Sequence, residues 1–143
     1  MSDQESLPSV LFVCARNAGR SQIAAALFED LADGRATVRS GGPTPGEQVN
    51  PVVVQAMAEI GIGLAARTPR RLTDSDVRGS SVVVTTSGAD AVGPLPGQRH
   101  EDWPVEDVAD KDVDEVRVIR DDIRSRVERL AADLLPPVKP ADA

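Results

Sequence analysis

Apolar residues along the chain form three short runs that are rich in β-branched residues and bounded by proline, glycine or polar residues. A run of about five apolar residues between such boundaries is typical of a strand buried on both faces of a parallel sheet. The predicted strands cover residues 9–13, 36–40 and 81–85, and residues 98–103 are predicted as a fourth strand.

Between these runs the apolar residues recur every three or four positions, which is the period of an amphipathic helix. The first predicted helix extends over residues 21–32 and buries Ile23, Leu27 and Leu31. A second helix is predicted to start at Pro51, where a proline is favoured. The last helix is marked by a longer apolar stripe: Val116, Ile119, Ile123, Val127, Leu130 and Leu134.

Strands that alternate with helices predict an α/β fold, a three-layer sandwich in which a four-stranded parallel sheet is flanked by helices. The 143 residues are enough for one domain with its own core. We expect residues 9–135 to form a single catalytic domain, between a flexible N-terminus at 1–8 and a flexible tail at 136–143. In such folds a ligand binds beyond the carboxyl ends of the strands.

A loop with the pattern C-x5-R-S follows the first strand, at the end where a ligand is expected. It runs from Cys14, the only cysteine, to Arg20 and Ser21. Five intervening residues are enough to curl the backbone until its N–H groups surround one tetrahedral oxyanion. The helix that follows adds its positive end. The residues predicted to bind the oxyanion are Ala15, Arg16, Asn17, Ala18, Gly19 and Arg20.

Three side chains of this loop have catalytic chemistry. Groups that bind an oxyanion also stabilise a thiolate, so we expect Cys14 to be nucleophilic near neutral pH. Arg20 can hold two anion oxygens with its planar guanidinium, and Ser21 can donate a hydrogen bond to the sulfur and cap the helix. An inert core thiol is the alternative. A core strand, however, does not run directly into a loop that contains Asn17, Gly19 and an arginine.

Composition excludes several function classes. The net charge of -7 argues against nucleic acid as a partner, because phosphate backbones select basic surfaces. No apolar run approaches the ~18 residues of a membrane span, and the polar N-terminus is unlike a signal peptide, so we expect a cytoplasmic protein. One cysteine and one histidine exclude an internal disulfide and predict that no metal is bound.

Substitution at a tetrahedral oxyanion needs a group that protonates the leaving oxygen, and a carboxyl group is the usual choice where histidine is lacking. The residues themselves leave the carboxyl groups at 101–108 as candidates, namely Glu101, Asp102, Glu106 and Asp107. Four arginines in predicted loops are candidates for contacting the anion or a thiol cosubstrate, with simple solvation as the alternative. They are Arg16, Arg67, Arg70 and Arg71.

A family resemblance is carried by five segments, at residues 10–22, 40–42, 68–69, 101–103 and 118–127. These segments resemble the low-molecular-weight protein tyrosine phosphatase superfamily and, within it, the arsenate reductase branch. The resemblance covers about residues 9–135. It implies the fold described above, and it implies that Asp107 is the general acid.

Two departures from the family pattern change what the resemblance implies. The branch usually has proline after the acid, whereas this chain has Val108, which predicts a less rigid acid loop. Thioredoxin-coupled members carry two further cysteines in the loop after the third strand, where this chain has Gly88 and Val92. With one thiol an internal disulfide relay is impossible, so a reducing thiol must come from outside.

In having a lone cysteine, the chain resembles the arsenate-mycothiol transferases of actinobacteria. The resemblance implies that arsenate binds in the loop at 14–20 and that Cys14 and Asp107 activate it for substitution. Mycothiol, as the cosubstrate, would leave as an arseno-mycothiol conjugate, and mycoredoxin would then release arsenite. No bound cofactor is expected.

Two other function classes stay open. A phosphatase acting on phosphotyrosine or a small phosphoester would use the same loop and form a cysteinyl-phosphate. Phosphotyrosine enzymes of this fold have proline after the loop serine and an aromatic residue beside the acid loop, whereas here Gln22 follows the serine and tyrosine is absent. Trp103 either lines the pocket or packs in the core. The third class is an anion-binding module without catalysis.

Overall fold

The computed structural model of the protein describes residues 7–86 and 95–135. The predictions for the N-terminus up to residue 6, for the loop at 87–94 and for the tail at 136–143 lie outside these residues. No described helix is long and apolar enough to cross a membrane. The elements in chain order are β1 (Ser9–Val13), α1 (Arg20–Ala32), β2 (Thr37–Gly41), α2 (Pro51–Ala58), α3 (Asp74–Arg78), β3 (Val82–Thr86), β4 (Arg99–Trp103) and α4 (Val113–Leu134).

The four strands form one parallel sheet in the order β2-β1-β3-β4, which confirms the predicted α/β fold. In the register of the sheet, Val13 at the end of β1 pairs with Gly41 of β2 and with Thr85 of β3. The carboxyl ends of these strands therefore meet at one edge. The residue that follows Val13 is Cys14, so the sheet places the thiol at that edge, beside two neighbouring strand ends.

Both faces of the sheet are covered, as a three-layer sandwich requires. Along β1, Phe12 belongs to the larger core cluster, which also contains the buried apolar residues of α1, α2 and α4. Leu11 points to the opposite face, into a smaller cluster with Val83. The rings of Phe12 and Trp103 lie 5.8 Å apart, and Trp103 is buried. The tryptophan is therefore a core residue, and the alternative in which it lines the pocket is wrong.

Two predictions about α1 are wrong. Leu31 is 39% exposed, because residues four apart rotate by about 40° around a helix at each step and so leave the buried face. Phe28 and Ala32 are buried instead. The helix also starts one residue early, with Gly19 as its N-cap and no side-chain cap. Ser21 therefore does not cap it.

An ion-pair cluster joins the end of α2 to α4. Arg117 donates from Nε and Nη2 to the two oxygens of Glu59, at 2.9 and 2.6 Å. Arg120 donates from Nη1 to Glu59 Oε1 at 3.1 Å and to the carbonyl of Ala56 at 2.8 Å. The hydrogen bond from Arg117 is the main reason why the pKa of Glu59 is lowered from 4.5 to about 2.

This cluster predicts an acid-dependent loss of stability. Because the pKa of Glu59 is lower in the folded state, the pairing stabilises the fold above pH 4.5 and is lost as the pH falls towards 2. We expect Glu59→Gln to have a smaller drop in Tm than the unmutated protein when the pH is lowered through this range. Thermal denaturation at several pH values measures this drop in Tm, with Asp122→Asn as an exposed control. Parallel Tm curves for the variant and the unmutated protein would contradict the prediction.

Candidate active site

The loop after β1 forms the floor of a cleft of about 540 Å³. Two further segments, at 45–51 and 107–109, contribute its walls. Five of the six residues predicted to bind the oxyanion line this cleft together with Cys14, namely Ala15, Arg16, Ala18, Gly19 and Arg20. The predicted nucleophile, the predicted arginine and one of the acid candidates thus face a shared space.

Backbone N–H groups are available for an anion in this loop. Among the described parts of the chain, the N–H groups of residues 15–21 donate to no protein acceptor. They belong to the loop itself and to the first turn of α1, where the helix has its positive end. Unpaired donors beside a cleft, at the start of a helix, are a suitable site for a tetrahedral oxyanion.

A chain of hydrogen bonds ends at the sulfur. The Nδ2 group of Asn17 donates to Ser21 Oγ at 2.7 Å, and Ser21 Oγ lies 2.9 Å from Cys14 Sγ. Because the hydroxyl oxygen already accepts from the amide, its own hydrogen is free to point at the sulfur. The sulfur of Cys14 thus has a hydrogen-bond donor directed at it, through a chain that starts at the Asn17 amide. Asn17 has a φ of 51°, a left-handed conformation that asparagine tolerates better than most residues.

The orientation of the Asn17 amide is fixed by two donors to its oxygen. The backbone N–H of Arg70 donates to Asn17 Oδ1 at 2.9 Å, and Gln22 Nε2 donates to the same oxygen at 3.1 Å. The Arg70 guanidinium contacts both carboxylate oxygens of Asp76 at 3.2 Å. Burial raises the pKa of Asp76, but hydrogen bonds from Thr73 and Arg70 outweigh it, and the net shift is downward. The sequence did not indicate this support for the loop.

Removing the hydroxyl next to the sulfur tests the chain of hydrogen bonds. We expect Ser21→Ala to slow alkylation of Cys14 by iodoacetamide at neutral pH on the order of tenfold, because a hydrogen bond to a charged group is lost. The rate of alkylation as a function of pH measures this, with Ser125→Ala on the exposed face of α4 as the control. Ser125→Ala should react at the rate of the unmutated protein. Equal alkylation rates for Ser21→Ala and the unmutated protein would contradict the prediction.

Arg20 connects the anion loop to the acid loop. Its side chain is largely buried, and Nη1 donates to the carbonyl of Val105 at 3.1 Å. Its Nε lies 3.9 Å from Oδ1 of Asp107, whose side chain is 62% exposed. The guanidinium therefore lies between the floor of the cleft and the segment that carries the predicted acid.

Of the four acid candidates, only Asp107 lines the cleft. Glu101 accepts hydrogen bonds from Arg99 Nε at 2.7 Å and from Trp103 Nε1 at 3.0 Å. Asp102 accepts a hydrogen bond of 2.6 Å from the Thr85 hydroxyl at the ends of β3 and β4. Glu106 lies 3.1 Å from the Lys111 ammonium group. The geometry thus favours Asp107 over the three alternatives that the residues themselves left open.

Several predicted contact residues lie away from the cleft. Asn17 is fully buried and supports the loop through its side chain. Arg67 pairs with Glu29 at 2.9 Å, and Arg71 donates to the carbonyl of Pro43 at 3.2 Å. Of the four loop arginines, only Arg16 lines the cleft.

The fold requires a glycine at position 42, because the backbone of the anion loop leaves no room for a side chain there. A Cβ at this position would lie 2.6 Å from the carbonyl oxygen of Ala15 and within 3.0 Å of that of Cys14. The absence of a side chain lets the end of β2 pack directly against the anion loop. In a sequence, a glycine pair such as Gly41-Gly42 marks either the end of a strand or a close approach of two backbones, and here it marks both.

Comparisons with known proteins confirm the family resemblance. Residues 9–138 match the family described as low molecular weight phosphotyrosine protein phosphatase. An arsenate reductase of Staphylococcus aureus (strain Newman) is 34% identical over 124 residues, which cover 84% of this chain and 93% of the relative. Alignments to two solved structures also cover most of the chain.

The first of these structures is the Corynebacterium glutamicum thioredoxin-dependent arsenate reductase Cg_ArsC1', with a TM-score of 0.80 and 35% identity. The alignment covers 90% of this chain but only 62% of that longer chain. The second is an arsenate reductase in the phosphate binding state, with a TM-score of 0.79, 30% identity and coverage of 90% and 99%. The chain therefore belongs to the low molecular weight phosphotyrosine protein phosphatase family, among relatives that are named arsenate reductases.

Proposed function

We propose that this protein is an arsenate reductase that acts as an arsenate-mycothiol transferase, with Cys14 as the nucleophile. The observation that carries the proposal is a complete oxyanion cleft that contains the only thiol of the chain. Ser21 donates to the sulfur, Arg20 and the N–H groups of residues 15–21 hold the anion, and Asp107 supplies a proton. These roles agree with the distances and the cleft lining described above.

The first step is substitution at arsenic. The Cys14 thiolate attacks arsenate in the cleft, an S–As bond forms, and one As–O bond breaks. Asp107 protonates the departing oxygen, which leaves as water. Arg20 and the backbone donors stabilise the charge on the remaining oxygens. Arsenic stays in its +5 state throughout this step.

The second step transfers arsenic to an external thiol. The sulfur of mycothiol attacks arsenic, the bond to Cys14 breaks, and the thiolate is restored. The product is an arseno-mycothiol conjugate that still contains arsenic in the +5 state. A thiol of mycoredoxin then attacks the mycothiol sulfur, and arsenite leaves with the electron pair while a mixed disulfide forms. The lone cysteine supports this route, because no second thiol in the chain can resolve the intermediate.

The walls of the cleft argue for a small oxyanion rather than an aromatic ester. Pro45, Gly46, Gln48, Val108 and Ala109 are among the described lining residues, and none of the described lining residues is aromatic. A phosphotyrosine ring would find no aromatic side chain on which to stack. The remaining alternative is hydrolysis of a phosphoester, which the same nucleophile and acid would support.

Arsenite production by the purified protein tests the proposal. Arsenate would be supplied with mycothiol, mycoredoxin and its reductase, and in parallel with thioredoxin and thioredoxin reductase. Cys14→Ser serves as the blank. Hydrolysis of 4-nitrophenyl phosphate is measured in the same preparation.

We expect arsenite only in the mycothiol system and only with Cys14 intact. Equal turnover with thioredoxin would contradict the transferase assignment but keep arsenate reduction. Hydrolysis of 4-nitrophenyl phosphate without arsenite in either system would make the protein a phosphatase. No reaction of either kind would favour an anion-binding module.

A further inference from the structure

Val108 is buried, although it lies in the exposed loop that carries Asp107. Its side chain is 3% exposed, whereas that of the adjacent Asp107 is 62% exposed. The side chain packs against Gly19, the last residue of the anion loop before α1. A Cβ at Gly19 would lie within 3.0 Å of Val108 Cγ2, so only a glycine admits the valine in this position.

The acid loop is held from its other side as well. Val105 is buried, and its carbonyl accepts the hydrogen bond from Arg20. The two attachments lie three residues apart, and the exposed Glu106 and Asp107 lie between them. A segment this short, with both ends fixed, has few ways to move its middle residues.

We propose that Val108 is a positioning residue that acts through Asp107. Its branched side chain, packed in the space that Gly19 leaves open, fixes the distance from the acid to the sulfur and the bound anion. The sequence had suggested a less rigid loop, because proline is absent after the acid. The packing of Val108 on Gly19 restrains the acid loop through a side-chain contact, whereas a proline would restrain it through its own ring.

This inference rests on the proposed role of Asp107, so the experiment separates the two. Four forms of the full-length protein are compared: unmutated, Asp107→Asn, Val108→Ala and the double variant. The kcat is measured for arsenate turnover with mycothiol and mycoredoxin, or for 4-nitrophenyl phosphate if only that is hydrolysed. The affinity for inorganic phosphate and the alkylation rate of Cys14 are measured alongside.

We expect Asp107→Asn to lower kcat on the order of 100-fold and Val108→Ala to lower it about tenfold. If Val108 acts through the acid, the double variant is no slower than Asp107→Asn alone, because the positioned group is already gone. In Val108→Ala, phosphate affinity and Cys14 alkylation should stay within about twofold, since the hydrogen bonds that hold the anion loop involve Asn17, Ser21 and Arg70 and not Val108.

Two further variants keep the test decisive if Val108→Ala is unstable. Val108→Thr keeps the branched shape and should retain most of the activity. Val127→Ala removes a similarly buried valine from α4 and should lower Tm without the same loss of kcat. Additive losses in the double variant, or an unchanged kcat in Val108→Ala, would overturn the proposal. An unchanged kcat in Asp107→Asn, or no reaction at all, would overturn the role of Asp107 and this inference with it.

Discussion

Cys14→Ser is expected to lower arsenate turnover by at least about 10⁴-fold and to leave the affinity for phosphate unchanged or higher. A serine hydroxyl does not ionise near neutral pH, so the nucleophile is lost. The donors of residues 15–21 and Arg20 stay in place, and the repulsion between a thiolate and the anion disappears. Calorimetric titration with phosphate measures the affinity, and arsenite production measures turnover.

The comparison of these two quantities separates chemistry from loop structure. The serine hydroxyl can still exchange a hydrogen bond with Ser21, so the fold of the loop should survive. If phosphate affinity falls together with turnover, Cys14 shapes the loop, and its loss would not identify a nucleophile. Turnover that persists in the serine variant would contradict the mechanism directly.

Arg20→Lys is expected to lower kcat/KM by about 10² to 10³-fold, although the charge is retained. Lysine cannot hold two anion oxygens in one plane. It also cannot span the anion while it donates to Val105, so the acid loop loses one of its two attachments. The effect should appear in kcat as well as in KM, which steady-state kinetics with arsenate resolves.

Arg78→Lys on the exposed face of α3 is a matched control for the same change of side chain. It should leave both kinetic constants within about twofold. If Arg20→Lys raised KM alone, the arginine would bind the anion without positioning the acid loop. Equal effects of the two substitutions would show that Arg20 has no special role.

The order of the elements could be predicted from the sequence because local signals agree with the fold along most of the chain. β1 was predicted at Ser9–Val13, where the structure has it. An apolar run bounded by a proline on one side and a glycine-containing loop on the other leaves few other positions for the ends of the strand. The errors arose where the packing of one element on another decides which residues are buried. Leu31 has the right spacing for a buried residue, but the rotation of the helix carries it into solvent.

The sequence could predict those site residues whose role follows from their own chemistry and spacing. Cys14 and Arg20 were found from their spacing, and the structure places both in one cleft. The support for them was not found, because it depends on contacts between distant segments. The Arg70 N–H that fixes the Asn17 amide comes from 53 positions away, and no local pattern marks it.

The single indole of this protein gives it an intrinsic optical probe. With one tryptophan and no tyrosine, the ultraviolet fluorescence of the chain comes almost entirely from Trp103. The carbonyl of Trp103 accepts a hydrogen bond of 2.8 Å from Val105, the residue held by Arg20, and its ring lies against Phe12 in the core. Its emission therefore reports on unfolding, which can be followed in real time without a dye or a label. Because Arg20 holds Val105, we expect the emission to respond also when an anion binds, which titration with phosphate measures.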